Sequence, residues 1–434
     1  MDGVIKAEWD TLKKIVVHKP GMEMFFGLLD PYGSLYERAF SRQGAREEHD
    51  NLVHILKNAL GVQVFRLKDL ILEAALKRPR VREKLIQMAR ESLDYIGDEN
   101  TVKRAKEEFE NNIPHLDTQH FFYMLLVHPE IDFKRAEGAR NIAQTVNLRQ
   151  PLANLYFMRD QQFVTDKGAV ICRMAKPSRR RETNITRFLI EDVLELPIAK
   201  EIEAPGTIEG GEFLPMGKFA MVGIGDRTNR AAIDQLLQIN FDFEELAVVH
   251  QPMHPLVPSD TPDPMIDMHL DTYFNVASSK VVVGCELLLK HAKVEVYHNE
   301  GSGKFVKDAK EPFLEEYIKS KGFEIAGLTT LEQLSYASNF LTISDGRILA
   351  VEIERGVRDV LTNLKGKAQR DHMRYGKLYD QARMDFDKLK NEGGFFPHKK
   401  ELYSKGVEAY PIILKNLTGG FGAAHCMTCA LARG

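Results

Sequence analysis

The side chains best suited to covalent chemistry are two thiols that follow a loop of small residues near the C-terminus. Residues 418–429 read TGGFGAAHCMTC, so Cys426 and Cys429 have Cys-x-x-Cys spacing. A zinc site would need two further soft ligands at paired spacing, whereas Cys172 and Cys285 are isolated in predicted strands. A thioredoxin-like pair should open a helix in a βαβ unit, and this pair lies close to the end of the chain. A nucleophilic role for Cys426 and a purely structural role both remain open.

Acidic residues and one histidine form a second chemical set, because they recur at similar places in a repeated pattern. Each precedes a phenylalanine, a short turn and a β-branched strand, and this pattern occurs four times after about residue 151. The copies are RDQQF (159–163), EGGEF (209–213), HLDTYF (269–274) and YASNF (336–340), with Asp160, Glu209, Glu212, His269 and Asp271 as their reactive members. Repeated modules around one axis bring equivalent positions together, so we expect these side chains to converge on one site. The alternative is a set of unrelated hairpins with solvated carboxylates.

A thiol among carboxylates favours one class of substrate over others. Nearby anions raise a thiol pKa and oppose the oxyanion that forms during acyl transfer. A guanidinium group instead presents paired N–H donors that match the two oxygens of a carboxylate, and its positive charge lowers the pKa of a neighbouring thiol. The combination of Cys426 with Asp160 and Asp271 therefore favours a guanidine substrate.

The elements that must position these side chains are those of an α/β chain. Apolar patterning predicts strands at 12–17 and 62–65 with a helix at 45–60 between them. Residues 70–148 are rich in Glu, Lys, Arg, Leu and Ala with few strand-like runs, and we expect them to form an α-helical subdomain inserted into the α/β body. Further helices are predicted at 230–239 and 356–364. With the N-terminal unit as a fifth copy, the repeat predicts five strand-turn-strand-helix modules.

Composition excludes several functional classes. The 434 residues include 59 Lys and Arg against 62 Asp and Glu, a net charge of −3, and 44% are hydrophobic. Such a chain is globular and has no overall field for nucleic acid or anionic lipid. Its apolar runs are far shorter than a membrane span, and four cysteines cannot form a disulfide scaffold. The first residues have no apolar run of the kind found in secretory signals. We therefore expect a cytoplasmic protein with free thiols that binds neither nucleic acid nor membrane, and we separately expect a homo-oligomer.

Four motifs that occur in one order along most of the chain carry a family resemblance. They are NLYFMRD (154–160), IEGG (208–211), MHLDT (268–272) and HCMTC (425–429). In these motifs the sequence resembles the arginine deiminases of the guanidino-group-modifying superfamily. The resemblance implies a catalytic α/β unit over residues 1–434, built as a five-bladed pseudo-symmetric α/β propeller (the pentein fold). It also implies hydrolytic deimination of L-arginine to L-citrulline and ammonia through a covalent thiouronium intermediate, without a metal or organic cofactor.

The resemblance also implies roles for particular residues. Cys426 matches the nucleophile, His269 the general acid and base, and Glu209 the carboxylate that orients His269. Asp160 and Asp271 match the pair that binds the guanidinium group. The implied substrate-binding residues are Asn154, Phe157, Arg179, Arg227 and Glu212, among which the two arginines match the clamp for the substrate carboxylate. The chain has Glu212 and Phe421 where many relatives have Asp and Arg, which bears on substrate specificity.

Other interpretations of these residues remain open at this point. Asp160 is preceded by Arg159 and could form a surface ion pair, while Arg179–Arg181 could be a solvated basic loop. Within the enzyme class, the alternatives are an arginine dihydrolase that produces ornithine, ammonia and carbon dioxide, and a deiminase of another guanidine such as agmatine. Two alternatives are not enzymes. One is a catalytically silent propeller that acts as a binding module. The other is a metal-binding regulator built on the two C-terminal thiols and the histidines of residues 250–254.

Overall fold

The computed structural model describes residues 3–135, 142–259, 266, 268–301, 303–392 and 394–434. Its strands are β1 (Leu12–Val17), β2 (Gln63–Arg66), β3 (Asp94–Ile96), β4 (Pro129–Arg135), β5 (Ile142–Leu148), β6 (Gln162–Thr165), β7 (Gly168–Ile171), β8 (Ile198–Glu201), β9 (Phe213–Met216), β10 (Phe219–Ile224), β11 (Glu245–His250), β12 (Phe274–Val276), β13 (Val281–Cys285), β14 (Val294–Asn299), β15 (Phe305–Lys307), β16 (Glu324–Leu328), β17 (Leu341–Ser344), β18 (Arg347–Val351), β19 (Glu408–Ile412) and β20 (Cys429–Arg433).

Its α-helices are α1 (Met22–Gly27), α2 (Arg42–His54), α3 (Leu67–Lys77), α4 (Pro79–Glu91), α5 (Glu99–Asn112), α6 (Thr118–Val127), α7 (Glu182–Phe188), α8 (Arg230–Leu236), α9 (Glu286–Leu289), α10 (Leu314–Ser320), α11 (Thr330–Leu334), α12 (Val357–Arg370), α13 (His372–Glu392) and α14 (Lys400–Ser404). Among the described residues, no helix is both long and apolar enough to cross a membrane.

Five of the sheets repeat one topology. In each, two neighbouring strands are antiparallel, and a third strand runs parallel to the second after a connection that contains at least one helix. In the order used below, the five units are β6-β7-β8, β9-β10-β11, β12-β13-β16, β17-β18-β19 and β20-β1-β2. The fifth unit joins both ends of the chain, because β20 pairs with β1. The predicted α/β class is confirmed, while the placement of the five units around one axis stays a prediction.

The middle strands of several units are buried on both faces. The middle strand of the third unit, β13, reads VVVGC and is buried along its whole length, as parallel strands covered on both sides generally are. Helices cover the sheets with a single apolar stripe. In α4, Pro79 occupies the first turn and Val81, Leu85 and Ala89 are buried at four-residue spacing, which is the spacing of one helix face.

The segment 70–148 contains more than the helices that its composition predicts. Helices α3 to α6 account for most of it, but β3, β4 and β5 form a separate three-stranded sheet. The expectation of a purely α-helical segment is therefore wrong. These strands are difficult to predict because the alternation of polar and apolar residues in β4, Glu130-Ile131-Asp132-Phe133, spans only a few positions. It also lies among many other charged residues. That the segment is an insertion into the α/β body stays a prediction.

Candidate active site

The chemistry-bearing residues lie where the chain enters the first strand of each unit. Asp160 lies just before β6, Glu209 before β9 and His269 before β12. Cys426 lies before β20, which belongs to the unit that joins the chain ends. The structure thus brings residues far apart in sequence to one buried cluster, as the repeat predicts.

The Cys426 thiol is buried and has two polar contacts among the described residues. Its Sγ accepts a hydrogen bond from Nδ2 of Asn339 at 3.0 Å and donates one to Oδ2 of Asp271 at 3.6 Å. Burial raises the pKa of this thiol well above its ordinary value, and the carboxylates of Asp271 and Asp160 raise it further. An anionic sulfur at this position therefore requires compensating positive charge.

The glycine loop is packed against the cysteine so closely that side chains are excluded from it. A Cβ on Gly422 would lie 2.6 Å from Cε1 of Phe157 and 3.2 Å from Sγ of Cys426. The preceding residue, Phe421, adopts a left-handed conformation with φ of 72° and lines a small pocket beside Met268. The small residues in the sequence motif thus let the loop backbone approach the thiol.

His269 is held in a charged state by buried carboxylates. Its Nε2 lies 3.0 Å from Oε2 of Glu209, and its Nδ1 lies 4.0 Å from Oδ1 of Asp160. Burial opposes protonation, but the hydrogen bond that His269 donates to Glu209 and the negative charges of Asp160 and Glu209 outweigh it and raise the pKa of His269 to about 9. The imidazolium can therefore act as an acid at neutral pH.

Glu209 is the most strongly stabilised carboxylate of the cluster. Burial raises its pKa, yet Arg227, His269 and Arg179 together bring the pKa down to about 2. It therefore remains ionised opposite His269, which is the arrangement that the sequence predicts for an orienting carboxylate.

Asp160 and Asp271 each present one buried carboxylate oxygen that accepts no hydrogen bond from the described residues, namely Oδ1 in both cases. Their other oxygens are bound: Oδ2 of Asp160 by Arg179 at 2.8 Å, and Oδ2 of Asp271 by Nδ1 of His425 at 2.7 Å. Burial raises the pKa of Asp160. For Asp271, burial is outweighed mainly by His425, and the pKa is lowered. Buried carboxylate oxygens without donors are rare, and a guanidinium group supplies such donors.

Arg179 is predicted to hold the substrate carboxylate, but the structure places it against carboxylates of the protein. Its Nε and Nη2 donate to Glu182, and its Nη1 donates to Asp160 and lies 3.6 Å from Glu209. Three of the five N–H donors of Arg179 are therefore already bound to carboxylates of the protein, which leaves two for a substrate carboxylate. The interpretation of Arg179 as part of a solvated basic loop is excluded, because the side chain is buried.

Arg227 differs from Arg179 in having two side-chain nitrogens without a hydrogen bond. It is almost completely buried, and its Nε and Nη1 make no hydrogen bond with any described residue. Its nearest carboxylates are Oδ2 of Asp226 at 3.2 Å and Oε1 of Glu209 at 3.8 Å. Of the two predicted clamp arginines, Arg227 therefore has the greater unused hydrogen-bonding capacity.

The remaining predicted substrate-binding residues are also buried near the cluster. Phe157 packs on Tyr156 with ring centroids 4.0 Å apart, and Asn154 donates to the carbonyl of Ser34 at 2.7 Å. Glu212 accepts a hydrogen bond from the backbone N–H of Leu270 at 2.8 Å, and burial raises its pKa to about 7. The structure thus ties Glu212 to the turn that carries His269.

Three contacts of the cluster involve residues that sequence reasoning missed. Asn339 contacts the sulfur, His425 binds Asp271, and Arg159 forms a buried ion pair with Glu8 rather than a surface pair with Asp160. Asn339 stands in the fourth copy of the repeat, so the repeat itself could have revealed it. Glu8 has no such signal, because nothing in the N-terminal sequence marks it as buried.

The cysteine pair gives no indication of a metal centre. Within the described ranges, no group of three His, Cys, Asp or Glu side chains is arranged to hold a metal ion. All four cysteines are free thiols, and Sγ of Cys429 contacts the carbonyl of Gln162 at 3.9 Å rather than a second ligand. Cys426 and Cys429 therefore have different surroundings despite their short spacing.

Comparison with known proteins agrees with the motif resemblance. The family model described as arginine deiminase matches residues 33–433. This chain belongs to the arginine deiminase family. It is 27% identical to the arginine deiminase of Halobacterium salinarum over 98% of this chain and 96% of that protein. It is 26% identical to the arginine deiminase of Treponema denticola over 83% of this chain and 91% of that protein.

Solved structures show the same fold at low sequence identity. DDAH from Pseudomonas aeruginosa, solved in complex with citrulline, has a TM-score of 0.50 and 14% identity, covering 96% of this chain and 99% of that chain. The amidinotransferase SxtG from Microseira wollei has a TM-score of 0.50 and 13% identity, covering 99% of this chain and 97% of that chain. This member of the arginine deiminase family therefore has the mixed α/β architecture of pentein-fold enzymes.

Proposed function

We propose that this protein hydrolyses L-arginine to L-citrulline and ammonia by covalent catalysis at Cys426. The observation that carries the assignment is the buried thiol beside two aspartates, Asp160 and Asp271, each with an oxygen that accepts no hydrogen bond from a described residue. Membership of the arginine deiminase family supports the same reaction. A planar guanidinium group has the donors and the charge that such a site lacks.

The substrate's charge has a direct effect on the nucleophile. In the protein alone, burial and two carboxylates raise the pKa of the Cys426 thiol. A guanidinium cation bound between Asp160 and Asp271 partly offsets their two negative charges and lowers that pKa, because a nearby positive charge favours the thiolate. Substrate binding therefore creates the reactive form of the nucleophile.

The first half of the reaction forms a covalent intermediate. The Cys426 thiolate attacks the central carbon of the guanidinium group and forms a C–S bond. His269 donates its proton to one terminal nitrogen, the C–N bond to that nitrogen breaks, and ammonia leaves. The product bound to the enzyme is an S-alkyl thiouronium cation.

The second half hydrolyses this intermediate. Neutral His269 accepts a proton from a water molecule, whose oxygen attacks the same carbon. The C–S bond then breaks, and the proton of the new hydroxyl group passes to the departing sulfur, which releases citrulline and the Cys426 thiol. Glu209, ionised and 3.0 Å from Nε2 of His269, holds the imidazole ring in one orientation through both steps. No step requires a metal ion or an organic cofactor.

The amino-acid end of the substrate is assigned to the remaining predicted residues. Arg227 supports a role in binding the carboxylate, since two of its buried nitrogens make no hydrogen bond with a described residue. We assign Arg179, Asn154 and Phe157 to the same end of the substrate, as the motif resemblance implies. We also assign Glu212 a role in positioning the turn that follows His269, because its carboxylate accepts a hydrogen bond from the backbone N–H of Leu270.

We also infer that the five sheet units form a five-bladed propeller with residues 70–148 inserted into it. The support is that five different units contribute to one cluster. Asp160, Glu209, His269, Asn339 and Cys426 each precede the first strand of a different unit. A circular arrangement brings such equivalent positions together.

Product analysis tests the proposed reaction. We expect purified protein incubated with L-arginine to release citrulline and ammonia in a one-to-one ratio, with no ornithine. Agmatine in place of arginine should react at least about a hundredfold more slowly, because a buried arginine that loses its carboxylate partner costs several kcal/mol. Ornithine with two ammonia per arginine would instead identify a dihydrolase.

The two C-terminal cysteines provide a matched pair of variants for the same assay. We expect Cys426→Ser to lose at least about a thousandfold in kcat, because a hydroxyl beside carboxylates does not ionise at neutral pH. Cys429→Ser, three residues away and equally buried, should retain activity within about threefold. Equal losses in both variants would point to a coupled dithiol and would overturn the proposed role of Cys426.

A further inference from the structure

Asn339 occupies the place in the fourth unit that catalytic residues occupy in the others. It directly precedes Phe340 and strand β17, and its side chain is fully buried. In the third unit, the equivalent approach to a strand carries His269 and Asp271. The fourth unit therefore contributes a neutral amide where its neighbours contribute charged groups.

The orientation of this amide is determined by its contacts. Its Oδ1 accepts hydrogen bonds from the backbone N–H groups of Ala423 at 2.8 Å and Cys426 at 3.1 Å. Oδ1 must therefore face the cysteine loop, because the reverse orientation would set an NH₂ group against two N–H donors. Nδ2 consequently faces Sγ of Cys426 at 3.0 Å and the carbonyl of Asp271 at 3.3 Å.

We infer that Asn339 is a further catalytic residue, whose Nδ2–H group donates a hydrogen bond to the Cys426 sulfur and stabilises its thiolate form. This role rests on the proposed function, in which the thiolate is the nucleophile. A hydrogen bond to an ionised acceptor is about twice as strong as one to a neutral acceptor, so the contact favours the thiolate over the thiol. Asp271, the other polar contact of the sulfur among the described residues, acts in the opposite direction because its carboxylate favours the thiol.

Asn339 positions the Cys426 sulfur in addition to stabilising its thiolate form. The backbone N–H of His425 donates to the carbonyl of Asn339 at 3.1 Å, so the cysteine loop binds this residue through three N–H groups. One side chain therefore fixes the loop and donates to its reactive atom. The two contributions can be separated by a substitution that keeps the oxygen and replaces the nitrogen.

Asn339→Asp is that substitution, since it retains an oxygen for the two backbone donors and sets an acceptor against the sulfur. We expect alkylation of Cys426 by iodoacetamide, followed by peptide mass spectrometry, to slow at least about tenfold at pH 8. The midpoint of its pH dependence should rise by about one pH unit, which corresponds to a tenfold change in thiolate population. In the arginine assay, kcat should fall at least about a hundredfold while KM changes less than about threefold.

Asn275 offers a matched control. It is a buried asparagine on β12 whose Nδ2 donates to the carbonyls of Ser338 and Phe340, on either side of Asn339, and it does not contact the sulfur in the structure. Asn275→Asp should therefore alter the melting temperature but leave the alkylation midpoint at that of the parent protein. If Asn339→Asp does not fold, Asn339→Ser provides the same measurement, because it also removes the N–H donor.

The alkylation profile is measured without arginine, so its outcome is independent of whether arginine is the substrate. A folded Asn339 variant with the alkylation midpoint of the parent would overturn the inference and leave a structural role only. Absence of citrulline formation in the parent would instead overturn the proposed function and leave the thiol measurement valid.

Discussion

The buried charges of Arg179 and His269 are stabilised by neighbouring carboxylates. Arg179 is bound by Glu182 and Asp160 and lies close to Glu209, and burial of this cation would otherwise be costly. His269 and Glu209 form a second pair. Oδ1 of Asp160 and Oδ1 of Asp271 accept no hydrogen bond from the described residues, and these are the atoms to which the substrate cation is assigned.

The two aspartates should act as a unit, because both bind one guanidinium group. We expect Asp160→Asn and Asp271→Asn each to reduce kcat/KM by at least about a hundredfold, and the double substitution to add less than about tenfold, since residues acting on one group are strongly non-additive. Steady-state kinetics on the three variants measures this. Asp345→Asn, which removes an acceptor of Ser279 in an exposed turn, is the control and should retain full activity. Losses that multiply would show that the two carboxylates act on separate groups.

Short elements rather than long ones hold the reactive groups. The single 3₁₀ turn Gly210–Glu212 carries Glu212 and follows Glu209, and it lies against the 3₁₀ turn Leu270–Thr272 that carries Asp271. Glu209 binds the side chain of His269 while Glu212 binds the backbone of Leu270. Glu209 thus holds the ring of His269, and Glu212 holds the main chain of the neighbouring turn.

The glycine loop should tolerate no added side chain at the point where it contacts the thiol. We expect Gly422→Ala to reduce kcat/KM at least about tenfold, because the new methyl group would lie 2.6 Å from the ring of Phe157 and 3.2 Å from Sγ of Cys426. Kinetics and melting temperature measured together separate displacement of the thiol from general instability. Gly356→Ala is a suitable control, since its nearest neighbouring atom would be 3.8 Å away. A fully active Gly422→Ala protein would show that the loop shifts without consequence.

The buried site makes the stability of the whole molecule dependent on pH. His269 has a pKa of about 9 in the fold against 6.5 ordinarily, so the native state retains a proton that the unfolded chain releases. Its contribution to stability is complete below about pH 6.5 and is lost as the pH rises through 9. Glu212, with a pKa of about 7 against 4.5, acts in the same direction between pH 4.5 and 7. Glu209, with a pKa of about 2, acts oppositely, and its contribution is lost as the pH falls from 4.5 towards 2.

Urea unfolding from pH 5 to 9.5 measures this dependence. We expect the free energy of unfolding to decrease between pH 6.5 and 9 in the parent protein and to decrease less in His269→Asn. His291→Asn, at an exposed histidine after α9, should keep the slope of the parent. A parent protein whose stability is constant or increases over that interval would contradict the protonated state assigned to His269.

Much of this organisation was predictable from sequence because it depends on local pattern. The strand at residues 281–285, the turn residues and the repeated approach to each phenylalanine are short-range signals, and they placed Asp160, Glu209, His269 and Asp271 before first strands. The sheet within 70–148 was not predictable in this way, since its alternation is short and lies among charged residues.

The amino-acid sequence by itself determined which groups could react, because residue type decides charge, nucleophilicity and hydrogen-bonding capacity. Only the tertiary structure decided what each group faces. Arg179 faces Asp160 and Glu182 rather than open space, and Asn339 faces the sulfur of Cys426. The contacts of Arg179 with Asp160 and of Asn339 with Cys426 join positions 19 and 87 residues apart, and such pairings are set by the packing of whole units, which no local pattern records.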